Sequence, residues 1–316
     1  MDRIPSVDLK DFISDDPSRK SHFVQSIGQA YEEIGFVALK GHFLDDELVD
    51  NLYQQIKAFF DLPVDVKQKY EIPGIGGQRG YVSFGKESAK GKKEGDLKEF
   101  WHFGQYLDSN TLREKDYPEN VRVEELPEFN DVGKQTYQML EKTAKYVLRA
   151  LALFLDLEER YFDAYIHNGN SILRPIHYPP ILDEPKNAVR AAAHGDINLI
   201  TLLMGAQGRG LQVQNHKGEW IDAIAEPDEL MINVGDMLSR HTNNKLKSTI
   251  HRVVNPPREL WGTSRYSIPF FMHPVSEMRL NVLNNCIDKD HPKLYDDITA
   301  GEFLNERLVE LGLIKK

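Results

Sequence analysis

The chain has 316 residues, of which 41% are hydrophobic and 28% charged, with 22 Gly and 16 Pro; this is an ordinary globular balance, long enough to bury a sizeable core and neither disordered nor fibrous. A formal net charge of −10 speaks against nucleic acid and anionic membrane surfaces as partners, and no run of about 18 apolar residues is present to span a bilayer. The single cysteine, Cys286, excludes an intrachain disulfide, and the start Met1-Asp2-Arg3-Ile4-Pro5 lacks the apolar stretch of a signal peptide, so a soluble cytoplasmic protein is expected.

In chain order, the first third reads as helices with one short strand. Phe23, Ile27, Ala30, Tyr31 and Ile34 recur at helical spacing, and Gly35 ends the run. Phe36-Val37-Ala38-Leu39 reads as a buried strand closed by Gly41. A second helix begins near Asp45, carries Leu48, Leu52, Ile56, Phe59 and Phe60 on its apolar face, and stops at Pro63. From Pro73 to Gly95 the chain is rich in Gly and Lys and reads as a long loop or lid, with Lys90, Lys92 and Lys93 as a solvated basic run. The longest helix follows, its buried stripe formed by Tyr137, Leu140, Ala144, Val147, Leu148, Leu151, Phe154 and Leu155.

After about residue 168 the texture changes to short β-rich runs separated by Gly, Pro, Asn and Asp. These are Asn198–Met204, Gly210–Gln214, Leu230–Val234, Thr249–Val254 and Tyr266–Met272, a spacing that predicts a sandwich or barrel. Asn215-His216-Lys217-Gly218 reads as a hairpin turn into Glu219–Asp222, and Ala300 to Leu311 as a closing helix. No internal repeat is evident.

Within this half, His194-Gly195-Asp196 opens an apolar strand run. Residues two apart on a strand point to the same face, so the imidazole and the carboxylate converge. His251, in Thr249-Ile250-His251-Arg252-Val253, offers a third donor from a distant strand. Two histidines and one carboxylate on one face of an octahedron suit iron(II) with open positions, and the same set also suits zinc with an open site. The other histidines read as surface or hydrogen-bonded core residues; among them His177, His241 and His273 lie nearest the suspected site in sequence. Arg265 and Ser267 again share a strand face, and a guanidinium fork beside a hydroxyl suits capture of a carboxylate.

From His194 through Ser267 the chain resembles the iron(II) and 2-oxoglutarate dependent oxygenases of the isopenicillin N synthase-like family. The likeness extends over nearly the whole chain. It is carried by Ile4-Pro5-Ser6-Val7-Asp8-Leu9, Ile34-Gly35-Phe36, Arg79-Gly80-Tyr81 with Lys98-Glu99, Tyr178-Pro179, Gly210-Leu211-Gln212-Val213, Asn233-Val234-Gly235-Asp236 and Arg265-Tyr266-Ser267. The resemblance implies a mainly β fold with α: a double-stranded β-helix (jelly-roll) core in residues 168–275. A helical N-terminal region, residues 1–167, wraps that core, and residues 276–316 form a C-terminal segment with a helix. It implies Fe(2+) held by His194, Asp196 and His251. It further implies 2-oxoglutarate whose far carboxylate meets Arg265 and Ser267, with Tyr178 as a further contact, and a small-molecule substrate oxidised with O2 as succinate and CO2 are released. Some family members carry Asn where Ile176 stands here. Specificity is expected in the loop around Tyr81 to Phe84, near Leu211 and Val213, and in the C-terminal segment, and Lys86, Lys90 and Lys92 suggest a carboxylate-bearing substrate. Three other readings remain at this point: an oxidase of the family that does not use 2-oxoglutarate, a zinc hydrolase, and a jelly-roll binding protein without catalysis.

Overall fold

The structure is a computed structural model that describes residues 3–86, 97–107, 117–182, 189–205 and 210–310. Strand β1 (Ser6–Asp8) leads through the short helix α1 (Leu9–Phe12) to α2 (Pro17–Glu33). Asp16 caps α2 by accepting from the Ser18 and Arg19 amides, and Pro17 stands where a missing N–H is harmless. The helix stops at Gly35, as the sequence predicts. Gly35 has φ of 72°, and a Cβ there would lie 2.0 Å from the Lys247 carbonyl oxygen, so the turn requires glycine. Strand β2 (Phe36–Lys40) follows, and then α3 (Asp46–Phe60), whose first turn is capped by Asp45, and α4 (Val64–Gln68) after Pro63.

The stretch expected to be loop or lid in fact contains β3 (Gly80–Val82), which pairs antiparallel with β4 (Glu99–Gly104). Strand β4 is buried on both faces and therefore lacks the alternation that marks a half-exposed strand. Lys90, Lys92 and Lys93 lie outside the described residues. Helix α5 (Pro127–Phe154) is the expected long helix; it packs against α2 and α3 and buries Tyr137, Leu140, Val147 and Leu151.

Beyond α6 (Asp163–Ile166) the chain is mostly strand. It runs β5 (Ile172–Leu173), β6 (Ile176–Tyr178), β7 (Ala191–His194), β8 (Ile200–Met204), β9 (Leu211–Gln214), β10 (Trp220–Asp222) and β11 (Leu230–Val234). Helix α7 (Asp236–His241), β12 (His251–Val253), β13 (Arg265–Met272) and α8 (Ala300–Glu310) complete it. All five strands expected in this half are present; three are trimmed at their ends, Leu230–Val234 is unchanged, and the last begins one residue earlier, at Arg265. The Asn215–Gly218 turn joins β9 to β10, with Asn215 Oδ1 accepting from the Lys217 and Glu219 amides.

The strands form two sheets, as the jelly-roll expectation requires. The larger runs β1-β2-β11-β8-β13-β5-β4-β3, with β6 paired to β13 and β4, and the smaller runs β10-β9-β12-β7. The helices α2, α3 and α5 cover the outer face of the larger sheet and share its main core. The N-terminal region does more than wrap: β2 pairs antiparallel with β11 from Leu39↔Leu230 to Phe36↔Asn233, so the first strands extend the catalytic half's own sheet.

Candidate metal centre and its cavity

His194 closes β7 and His251 opens β12, and the antiparallel register sets them directly opposite each other, with ring centroids 4.5 Å apart. Asp196 is not on the same strand as His194, contrary to the two-apart argument. It lies in the connection to β8, where its carbonyl accepts the Asp236 amide at 2.7 Å. The three side chains nevertheless converge: each offers a ligand atom within 4.8 Å of the others. Asp196 Oδ1 lies 3.9 Å from His194 Nε2 and 3.7 Å from His251 Nε2. Two donors about 2.1 Å from one ion sit about 3.0–3.4 Å apart, so a shift of a few tenths of an ångström per donor accommodates a first-row metal.

The neighbours fix the chemistry of each donor. His194 Nδ1 donates to the Ala192 carbonyl at 2.6 Å and His251 Nδ1 to the Thr249 carbonyl at 3.1 Å, which leaves the Nε2 lone pairs free to ligate. Desolvation, and then the adjacent His251 ring, push the His194 pKa down and favour the neutral ligand form. Burial opposes ionisation of Asp196, but the two histidines and the hydrogen bonds from Asn233 and Thr201 outweigh it and hold the carboxyl below the usual range. Those two bonds, each 2.7 Å, go to Oδ2 and leave Oδ1 facing the imidazoles. Thr201 is on β8 and Asn233 on β11, both in the larger sheet, while both histidines are on the smaller one. The Gly35 turn contributes as well, because Phe36 packs edge-on against the His251 ring at 5.5 Å.

The structure brings Arg265 and Tyr178 together, with Ser267 two positions further along β13. Arg265 pairs with Tyr178 and Ser267 with Ile176 across β13 and β6, and the Arg265 guanidinium lies 5.3 Å from the Tyr178 ring centroid. Ile176 packs with Val82, Phe100 and Tyr178. Lys98, 8% exposed, is close enough to His194 to disfavour its protonation. Sequence reasoning missed Arg190, whose guanidinium lies 5.5 Å from the same Tyr178 ring.

A cavity of about 1200 Å³ opens over His194 and Asp196. Tyr81, Val82 and Phe100 from the β3–β4 hairpin and Phe271 from β13 supply apolar walls, and Leu304 and Leu308 of α8 also line it. Polar groups also face it: Asn170, His273 and Arg174, whose Nε donates to His102. Of the three histidines flagged by position, His273 lines this cavity, with desolvation pushing its pKa down to about 4. His177 instead bonds Glu99 and stacks on Tyr266, and His241 packs on Tyr161. Leu211 and Val213 are buried in a smaller core cluster and do not line the cavity. Lys86 lines the cavity and is paired with Glu71 at 2.6 Å, while Lys90 and Lys92 lie outside the described residues.

Comparison with known proteins agrees with this geometry. A family model described as the 2OG-Fe(II) oxygenase superfamily matches residues 169–274, and one described as the non-haem dioxygenase in morphine synthesis N-terminal region matches residues 4–125. A 2-oxoglutarate-Fe(II) type oxidoreductase of Emericella nidulans is 30% identical over 310 residues, covering 95% of this chain and 88% of that protein. A crystal structure assigned to the 2OG-Fe(II) oxygenase family, from Caulobacter crescentus, is 42% identical with a TM-score of 0.90 and covers 98% of this chain and 100% of that one. A full-length Neurospora crassa protein solved with alpha-KG and thymine is 27% identical with a TM-score of 0.85, covering 97% and 96%. This chain belongs to the 2OG-Fe(II) oxygenase superfamily and is an iron(II)- and 2-oxoglutarate-dependent dioxygenase.

Proposed function

We propose that His194, Asp196 and His251 are the iron ligands and that Arg265, Ser267 and Tyr178 seat the far carboxylate of 2-oxoglutarate. The substrate is a small polar organic molecule held in the cavity, and hydroxylation of one of its C–H bonds is the outcome. One observation carries the reading: a single carboxylate oxygen faces two imidazole Nε2 atoms at 3.9 and 3.7 Å. Iron(II), when bound, supplies the redox chemistry in which O2 is reduced as 2-oxoglutarate is split to succinate and carbon dioxide. The chain's own residues do the rest. Neutral imidazoles and an ionised carboxylate hold the metal with positions to spare. The Arg265 fork and the Ser267 hydroxyl orient the co-substrate, and Val82, Phe100 and Phe271 keep water from the reacting bond. Asn170, His273 and Arg174 favour a polar substrate, as does the thymine seen in the Neurospora crassa relative. In this reading residues 168–275 are the catalytic unit, 1–167 cover it with helices and extend its larger sheet, and 276–316 supply the helix that closes over the cavity.

The test is an anaerobic titration of iron-loaded protein with 2-oxoglutarate. A visible charge-transfer band should appear, and oxygen should then yield succinate. His194→Ala, Asp196→Ala and His251→Ala should each lose iron, band and succinate while keeping the wild-type circular dichroism. Wild-type iron content in any one of them would break the ligand assignment.

A further inference from the structure

Arg190 stands in a bend just before β7 and is 5% exposed. Its guanidinium carbon lies 5.5 Å from the Tyr178 ring centroid, and that of Arg265 lies 5.3 Å from the same ring. Two guanidinium groups therefore flank one phenol ring in the interior of the fold. Among the described residues no carboxylate pairs with either of them. Arg190 Nε and Arg265 Nη1 are buried and lack a hydrogen-bond partner. Desolvation first, and then the proximity of Arg265, push the Arg190 pKa down to about 10, so it is still charged at neutral pH.

Two like charges that share one ring repel each other, and each leaves a donor unmet. An anion with several acceptor oxygens placed between the forks would meet these donors and offset the repulsion. A single arginine beside a serine already suffices for one carboxylate, so the second guanidinium needs its own explanation. The Tyr178 ring gives each cation a π face in the meantime. The register that sets Tyr178 against Arg265 keeps the seat on the face of β13 that also carries Ser267.

We infer that Arg190 is a second guanidinium of the 2-oxoglutarate seat, sharing the far carboxylate with Arg265 and Ser267. This inference rests on the reading of Arg265 given above. It makes Arg190 a binding residue for the co-substrate that is expensive to the fold: when the carboxylate is absent, Arg190 destabilises the protein it belongs to.

The experiment compares two keto acids on iron-loaded protein without oxygen, by calorimetry and by the visible band: 2-oxoglutarate, and 2-oxobutyrate, which has the same chelating end and no far carboxylate. Arg190→Gln should narrow the wild-type preference for 2-oxoglutarate by about 10–100-fold, the equivalent of a lost charge-assisted hydrogen-bond pair. Affinity for 2-oxobutyrate should stay within about twofold of wild type, because only the far end is touched. Arg190→Lys keeps the charge and loses the fork, so it should fall between the two. Without co-substrate, Arg190→Gln should melt no lower than wild type, and 2-oxoglutarate should raise its melting temperature less. An equal loss for both keto acids, or a melting temperature well below wild type in both variants, would assign Arg190 a structural role and overturn the inference. Narrowing in Arg265→Lys with none in Arg190→Gln also overturns it while leaving the Arg265 reading intact. If neither variant narrows the preference, the Arg265 reading fails too.

Discussion

Asp196 turns one carboxylate oxygen toward two imidazoles and gives the other to Thr201 and Asn233, 2.7 Å from each. Fixing Oδ2 determines where Oδ1 points, and partners of this kind usually contribute about 10–100-fold to metal affinity. Thr201→Val removes one donor at nearly constant volume, so iron affinity should fall by about that factor with little change in fold. Competition against a coloured chelator measures it, and unchanged affinity would mean that Asn233 alone suffices. The three candidate donors were legible in sequence, because His194-Gly195-Asp196 before an apolar run and a distant histidine in a β-rich run form a recognisable set. Strand alternation does not place all three, since Asp196 sits past the end of β7 and is held by hydrogen bonds from β8 and β11. Arg190 could not be placed by counting: the chain bends at that residue, and the register shifts between β7 and β12 just after it, so alternation from His194 does not extend that far. Asn170 and His273 flank strands in loops, where a lone polar residue carries no periodic signal.

Four elements meet at Glu99 of β4. Lys67 from α4 donates to it at 2.9 Å, His177 from β6 lies 2.7 Å away, and the Tyr81 hydroxyl from β3 completes the set. Lys67 and Glu99 are only 5% and 6% exposed, so this is a buried pair whose separation is costly. It pins the hairpin that carries Tyr81 and Phe100, two walls of the cavity, against the main sheet. Glu99→Gln leaves the Lys67 ammonium buried without a counter-charge and should cost about 3–5 kcal/mol in chemical denaturation at neutral pH. A loss below about 1 kcal/mol would show that the pair is relieved by water. The pH dependence has a definite sign. Burial opposes ionisation of Glu99, but the bonds from His177, Lys67 and Tyr81 outweigh it and depress its pKa below the ordinary value. Its contribution is therefore complete above the unfolded carboxylate value of about 4.3 and is lost as pH falls through the folded one. Wild type should lose stability over that acid range more steeply than Glu99→Gln. At this scale the helices were legible because α2, α3 and α5 carry long apolar stripes, whereas β3 to β6 were not. They are two to six residues long and mostly buried on both faces, so neither length nor alternation marks them.

In the molecule as a whole the candidate metal centre lies at the junction of the two sheets. His194 and His251 belong to the smaller sheet, while the groups that fix Asp196 belong to β8 and β11 of the larger one. The larger sheet is itself extended by β1 and β2, so the N-terminal third is continuous with the catalytic half through the β2–β11 ladder. The sequence reads residues 1–167 only as a wrap around the core, because a fully buried strand such as Phe36–Leu39 does not reveal its partner, and here the partner lies in the opposite half of the chain. An ion bound at this junction links both sheets and has no preformed site in the unfolded chain, so its binding free energy adds to stability. At a free iron(II) concentration 100 times the dissociation constant the gain is about 2.7 kcal/mol. For a chain of this length the unfolding entropy is roughly 0.7 kcal/mol per kelvin, so the melting temperature should rise by about 4 °C. Anaerobic melting with iron(II), and again with excess chelator, measures the shift, which the chelator should reverse. Asp196→Ala should show no rise at the same iron concentration, and 2-oxoglutarate should raise the wild-type value further only when iron is present. A wild-type melting temperature unmoved by iron that is shown to be bound would mean that the unfolded chain binds it equally well and that no folded site holds it.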